Sequence, residues 1–101
     1  ILEHKALVGR CGFGCEPASG ATVAGVRKLR EAGVIDADQR VACVLTGHAL
    51  KDPNITVAYH TESPETLREK YGYYGFERAG HANRPIVVDD DRDKIIAAIK
   101  D

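Results

Sequence analysis

The chain has 101 residues, which suits one domain, and its 44% apolar and 29% charged residues are typical of a globular protein. The 14 Lys and Arg residues are balanced by 15 Asp and Glu residues, and a formal charge of -1 argues against nucleic-acid binding driven by phosphate neutralisation. No uninterrupted apolar run exceeds five residues, so no membrane-spanning segment is predicted.

The cysteines indicate a reducing compartment. Cys11, Cys15 and Cys43 are an odd number, whereas a secreted disulfide scaffold has an even and denser set. Cys11 and Cys15 are four residues apart, but no second closely spaced pair of ligands follows, so we expect small buried thiols and no metal site. The chain begins at Ile1 without a leader and contains no Met, so we expect it to be cut from a longer protein or processed.

Two helices are predicted in the first third of the chain. Residues 2–10 have a short helical pattern that glycines then interrupt. A longer helix begins at Pro17, because proline suits the first helical position. We expect this helix to run to about Ala32 and to stop at Gly33.

A buried strand is predicted at residues 41–45, where every position is apolar. This pattern is typical of a parallel strand that helices cover on both faces. Residues 46–53 then form a polar loop at the carboxyl end of the strand, where ligands bind in open α/β sheets.

The second half supplies fewer strand candidates than a covered sheet requires. Residues 55–59 fit either a strand or a short helix, and residues 85–88 fit a strand. Helices are predicted from Ser63 and Pro64 to Tyr71 and over residues 92–100, with a loop at 72–80 between. We therefore expect an α/β fold, with helices packed on a short, mostly parallel sheet, in which residues 1–101 are one segment and much of the sheet lies outside them.

Two segments carry a family resemblance. Residues 14–19 read Gly-Cys-Glu-Pro-Ala-Ser, and residues 44–53 read Val-Leu-Thr-Gly-His-Ala-Leu-Lys-Asp-Pro. With the residues between them, they resemble the C-terminal part of threonine synthases, which are pyridoxal-phosphate enzymes of the tryptophan-synthase β-like (type II) fold. The family usually has Gly where Ala49 stands and Ala where Gly20 stands. The resemblance implies a C-terminal portion of the large, cofactor-binding catalytic domain.

The resemblance also implies two cofactor-binding residues. Thr46 would hydrogen-bond the pyridine nitrogen of pyridoxal phosphate, and Glu16 would lie close to the ring. From the residues alone, Thr46 could instead cap the following turn, and Glu16 could act as a helix cap. Ser19, in the first turn of its helix, is interpreted as a capping or packing residue.

The resemblance implies that the chain is inactive alone. The family anchors its cofactor through a lysine in a Ser-x-Lys-Asp context and holds the cofactor phosphate with a Gly-Asn-Ala-Gly-Asn type loop. None of the six lysines has that context, and the sequence has no such loop, so no catalytic residue is predicted here. The implied partners are the remainder of the enzyme chain, the substrate O-phosphohomoserine and, for the full cytoplasmic enzyme, a second copy in a homodimer.

Alternatives remain open from the sequence. The chain could belong to another type II lyase, such as threonine dehydratase or cysteate synthase, or could be a stand-alone α/β interaction module. His48 fits an exposed loop histidine better than an acid or base. Lys51, beside Asp52, could attract a substrate phosphate, but a surface pair or a role in bracing the loop is preferred. The aromatic residues between 71 and 76 are interpreted as loop packing or a subunit contact.

Overall fold

The computed structural model describes residues 1–100, and the part it describes contains five α-helices. They are α1 (Leu2–Arg10), α2 (Pro17–Glu31), α3 (Pro53–Thr61), α4 (Pro64–Tyr71) and α5 (Arg92–Lys100). Short 3-10 turns over Ala49–Lys51 and Gly72–Tyr74 come before α3 and after α4.

Local sequence signals set several helix ends. Proline occupies the first turn of α2, α3 and α4, where its missing N–H costs no hydrogen bond. Ser63 caps α4, because its Oγ accepts a hydrogen bond of 3.2 Å from the Thr66 N–H. After α2, Gly33 adopts a left-handed φ of 70°. The predicted starts of α2 and α4 and the stop at Gly33 are confirmed.

Helix α1 packs closely against the start of α2. Lys5 and Ala6 of α1 are buried, as are Ser19 and Gly20 of α2. A Cβ placed on Gly20 would lie 3.0 Å from the Lys5 Cβ, which is closer than ordinary van der Waals contact. The close approach of the two helices therefore depends on the missing side chain at Gly20.

Further buried residues lie on α3 and α4. Ala58 and Tyr59 of α3 are buried, and Leu67 of α4 is fully buried. The Tyr59 ring meets the Phe76 ring edge to face, with ring centroids 6.4 Å apart. Burial raises the pKa of Tyr59 to about 12, and its hydroxyl accepts a hydrogen bond of 3.3 Å from the His81 N–H.

Residues 80–83 connect α1 with α3. The Gly80 N–H donates to the Glu3 carboxylate of α1, and His81 Nε2 lies 3.7 Å from Glu3 Oε2. The Asn83 N–H donates to His60 Nδ1 of α3 at 2.9 Å. These contacts hold the segment against two helices, although it has no regular secondary structure itself.

The predicted α/β fold is wrong for the residues that the structure describes. Residues 41–45 and 85–88, both predicted as strands, form no sheet, and Val44 and Val87 are 69% and 87% exposed. Residues 55–59 are helical, within α3. An apolar run indicates that a segment can be buried, but a strand also needs a neighbour that completes its backbone hydrogen bonds. The described chain supplies no such neighbour to either segment.

The prediction of the last helix, α5, is confirmed, including the acidic residues before its first turn. Asp91 Oδ1 accepts hydrogen bonds of 3.0 Å from the N–H groups of Asp93 and Lys94. The apolar face of α5 is open, since Ile99 is 79% exposed.

The cysteines differ in part from the expectation of buried thiols. Cys15 is buried beside the start of α2, whereas Cys11 and Cys43 are exposed, because they lie in the turn after α1 and in the open 41–45 segment. All three are free thiols. None of the helices described is long and apolar enough to cross a lipid bilayer.

Candidate functional site

The two segments that carry the family resemblance meet in the structure. Cys15 and His48 form an isolated antiparallel backbone bridge. Next to it, the Glu16 N–H donates a hydrogen bond of 2.9 Å to the Gly47 carbonyl, and the Gly47 N–H donates one of 3.0 Å to Ser19 Oγ. Both backbone groups of Gly47 are thus held by the turn that begins α2. We refer to Glu16, Ser19 and Gly47 as the Gly47 clamp.

Glu16 is the central side chain of this clamp. It stands at the N-cap position of α2 with an extended backbone (φ −67°, ψ 160°), yet its side chain makes no capping hydrogen bond. The residue is 7% exposed, and its carboxylate Oε2 lies 3.1 Å from Lys51 Nζ. The side chain therefore points toward residues 47–51 and not to the helix N–H groups that a capping role requires.

The arrangement relies on the missing side chain of Gly47. A Cβ built on it would overlap Cδ, Oε1 and Cγ of the Glu16 side chain. Beside it, a Cβ on Gly14 would lie 3.3 Å from the Ala49 Cβ. The absence of side chains at these two positions lets the two segments come into contact.

Thr46 is the residue next to the Gly47 clamp. The residue is exposed and directly precedes Gly47. Its hydroxyl makes no hydrogen bond to any part of residues 1–100, so it does not cap the following turn. It was expected at the tip of a buried strand, but that strand is absent from the described chain, and contacts of Gly47 fix the position of Thr46 instead.

The charged and titratable residues of the loop brace it. Lys51 pairs with Glu16 and not with its neighbour Asp52, and this contact favours the loop-bracing interpretation of Lys51. Lys51 is 67% exposed in its side chain, so the ion pair contributes about 0–1 kcal/mol. His48 is exposed, and its Nδ1 accepts a hydrogen bond of 3.2 Å from the Leu50 N–H. This contact favours the interpretation of His48 as a structural loop histidine.

A cavity of about 650 Å³ lies elsewhere, beside α1 and the aromatic residues near α4. Its charged and polar lining includes Glu3, His4, Arg27, Arg78 and His81. Tyr71 and Phe76 also line it, so part of the predicted aromatic cluster packs around this cavity. Neither Thr46 nor Glu16 is among the lining residues, and the cavity is separate from the clamp.

The sequence did not predict the contact between Ser19 and Gly47. Ser19 is 4% exposed, and its Oγ contacts a residue 28 positions further along the chain. The Thr-Gly step after an apolar run was the available signal at residue 47, since glycine often marks a close backbone approach. The partner of each residue depends on tertiary contact and has no local sequence signal.

The comparisons with known proteins confirm the resemblance to threonine synthases. The chain is 56% identical over 57 residues to the threonine synthase of Methanosarcina acetivorans and 47% identical over 58 residues to that of Methanocaldococcus jannaschii. Each match covers 56% of this chain. The threonine synthase of Halalkalibacterium halodurans is 41% identical over 67 residues, or 66% of the chain.

The matches cover only a small part of those relatives. They span 14% of the two archaeal proteins and 19% of the Halalkalibacterium halodurans protein. No protein-family model matches the chain, and no solved structure matches it.

Proposed function

We propose that this chain is the C-terminal segment of a threonine synthase, which converts O-phosphohomoserine and water to threonine and phosphate with pyridoxal phosphate. The contact between residues 14–19 and 46–51 is the observation that carries the proposal. It brings the two motifs of the resemblance together around Gly47 through hydrogen bonds of 2.9 and 3.0 Å. The sequence identity to threonine synthases supports the same assignment.

In this proposal the clamp and its neighbour Thr46 would lie at one edge of the cofactor. Bound pyridoxal phosphate withdraws electrons from substrate carbanions through its pyridine ring. Thr46 offers an exposed hydroxyl directly before Gly47 of the clamp, and we assign it to the pyridine nitrogen. Because a hydroxyl is neutral, Thr46 would hold the ring without keeping that nitrogen protonated, whereas a carboxylate partner would keep it protonated. We assign Glu16, whose side chain packs against Gly47, to the lining of the same site.

The remainder of the enzyme chain supplies what this segment lacks. We assign to it the lysine that anchors the cofactor and the loop that holds the cofactor phosphate, so the segment alone is inactive. Exposed apolar residues such as Val44 and Ile86 support a role for the remainder as the covering partner. The full enzyme in this proposal is a homodimer in the cytoplasm.

An assay of the complete enzyme tests the reaction. We expect it to release phosphate and form threonine from O-phosphohomoserine, and the isolated 101-residue chain to do neither. Turnover of threonine or phosphoserine in place of O-phosphohomoserine would assign the chain to a different pyridoxal-phosphate lyase, and activity of the isolated chain would contradict the missing-lysine argument.

Replacement of Thr46 tests the cofactor contact. Thr46→Val removes the hydroxyl at nearly constant shape, and we expect about a tenfold loss of kcat/KM in the complete enzyme, the size of one hydrogen bond to a bound group. The absorption spectrum of the bound cofactor should change as well. Thr46→Ser keeps the hydroxyl and serves as the control. An unchanged spectrum and rate in Thr46→Val would rule out the contact.

A further inference from the structure

We propose that Ser19 is a positioning residue. Through the peptide group of Gly47, it holds the Thr46 hydroxyl where that hydroxyl can contact the cofactor. The inference rests on the proposed function, since it presupposes that Thr46 contacts the cofactor. Ser19 itself is too deeply buried, at 4% exposure, to be assigned a direct contact.

The geometry of one peptide group carries the argument. The Gly47 N–H belongs to the planar peptide that begins at the Thr46 carbonyl carbon. When Ser19 Oγ accepts that N–H at 3.0 Å, it fixes the plane of this peptide and with it the backbone direction at Thr46. The following peptide is fixed as well, because the Gly47 carbonyl accepts the Glu16 N–H at 2.9 Å. Thr46 is thus attached to a backbone held on both sides of Gly47.

The anchor of this contact is rigid. Ser19 lies in the first turn of α2, a helix of fifteen residues. Its carbonyl accepts a hydrogen bond of 2.8 Å from Thr22 Oγ1 one turn later. Side chains on regular elements hold a site more accurately than side chains on loops. The exposed loop residue Thr46 therefore takes its position from a helix.

An ordinary capping role does not account for the Ser19 side chain. The N-cap position belongs to Glu16, three residues earlier. Ser19 Oγ instead accepts the N–H of a residue 28 positions away. A serine with only a helix-capping role would act like Ser63, whose Oγ accepts the N–H of Thr66 within its own helix.

A double-mutant cycle in the complete enzyme tests the proposal. Ser19→Ala, Thr46→Val and the double variant are compared for the dissociation constant of pyridoxal phosphate, measured by equilibrium dialysis, and for the absorption spectrum of the bound cofactor. We expect Ser19→Ala to weaken binding about fivefold, the effect of one lost hydrogen bond. In the Thr46→Val background the same change should have no further effect, because Ser19 acts through Thr46.

Two further variants separate positioning from general destabilisation. Ser63→Ala removes a comparable hydroxyl at α4, outside the clamp, and should leave the dissociation constant unchanged. Ser19→Cys keeps the volume with a weaker acceptor, so an intermediate dissociation constant is expected.

The outcomes are distinct. Additive effects of Ser19→Ala and Thr46→Val, a silent Ser19→Ala, or an equal loss in Ser63→Ala would overturn the positioning role while leaving the proposed function in place. A silent Thr46→Val would overturn the cofactor contact and the inference with it.

Discussion

Gly47 lies so close to the Glu16 side chain that a Cβ would overlap three of its atoms. The Glu16 side chain is buried, and its carboxylate lies 3.1 Å from Lys51 Nζ. Rotation of the carboxylate into solvent would break this ion pair. At the scale of single residues, the candidate site thus depends on one missing side chain and the buried carboxylate that fills its space.

Gly47→Ala should therefore destabilise the protein. The added methyl group forces Glu16 or the loop to move, and overpacking of this kind costs about 1–3 kcal/mol. Gly25→Ala is the matched control, since nothing lies within 4 Å of a Cβ at this position in α2, and alanine there should be neutral or stabilising. The melting temperatures of the two variants of the complete enzyme measure the difference. Equal melting temperatures would show that the clamp tolerates a side chain at residue 47.

At the scale of elements, residues 80–83 join α1 to α3, and one of these contacts depends on the protonation state of His60. The Asn83 N–H donates to His60 Nδ1, which can accept only while the ring is neutral. Burial lowers the pKa of His60 below its usual 6.5, and the charge of Lys5 lowers it further. Burial also lowers the pKa of His4.

This contact predicts a loss of stability in acid. The folded state keeps His60 neutral, so the unfolded state binds more protons as the pH falls through 6.5. The contribution of His60 to the free energy of unfolding should therefore be fully present above this pH, decrease below it, and level off below the folded-state pKa. The measurement is the melting temperature of the complete enzyme between about pH 7.5 and about pH 5.5, the window in which histidine titrates.

His60→Gln provides the comparison, because the glutamine oxygen can accept the Asn83 N–H without titrating. The variant should lose part of the decrease in acid, with the remainder coming from groups such as His4. An unchanged decrease in His60→Gln would show that this contact does not contribute to the pH dependence.

At the scale of the whole molecule, the chain is more open than an independent domain. Its radius of gyration is 16.1 Å, whereas a compact domain of this length has about 13 Å. Its accessible surface is 7752 Å², against about 5,600 Å² for a compact monomer of its mass. Within the part of the chain that the structure describes, the buried apolar residues form a short list: Ala6, Cys15, Ala58, Tyr59 and Leu67.

We expect the isolated 101-residue chain to unfold without a sharp transition. So few buried apolar residues cannot offset the conformational entropy of a cooperative unit of this length. Urea titration followed by circular dichroism at 222 nm is the measurement. A steep, single transition of the monomer would favour a stand-alone module over a segment of a larger enzyme.

The sequence alone determined where most helices begin and end. Pro17, Ser63 and Asp91 act on the backbone groups nearest to them, and Gly33 accepts a left-handed conformation that other residues disfavour. These effects are local, so the order of residues is sufficient to predict them. The resemblance to threonine synthases could likewise be identified from two short motifs.

Only the tertiary structure showed that the predicted strands do not form in the described chain and which residues meet in the candidate site. The apolar residues 41–45 form no strand in the described chain, and 41–44 are exposed, because a strand requires a partner that no local pattern specifies. Likewise, Ser19 meets Gly47 across 28 positions, and the fit of Glu16 against Gly47 depends on how the loop folds back onto α2. Helix ends depend on backbone groups a few residues away, so the sequence predicts them. Contacts between residues far apart in sequence depend on packing of the whole chain, so only the structure reveals them.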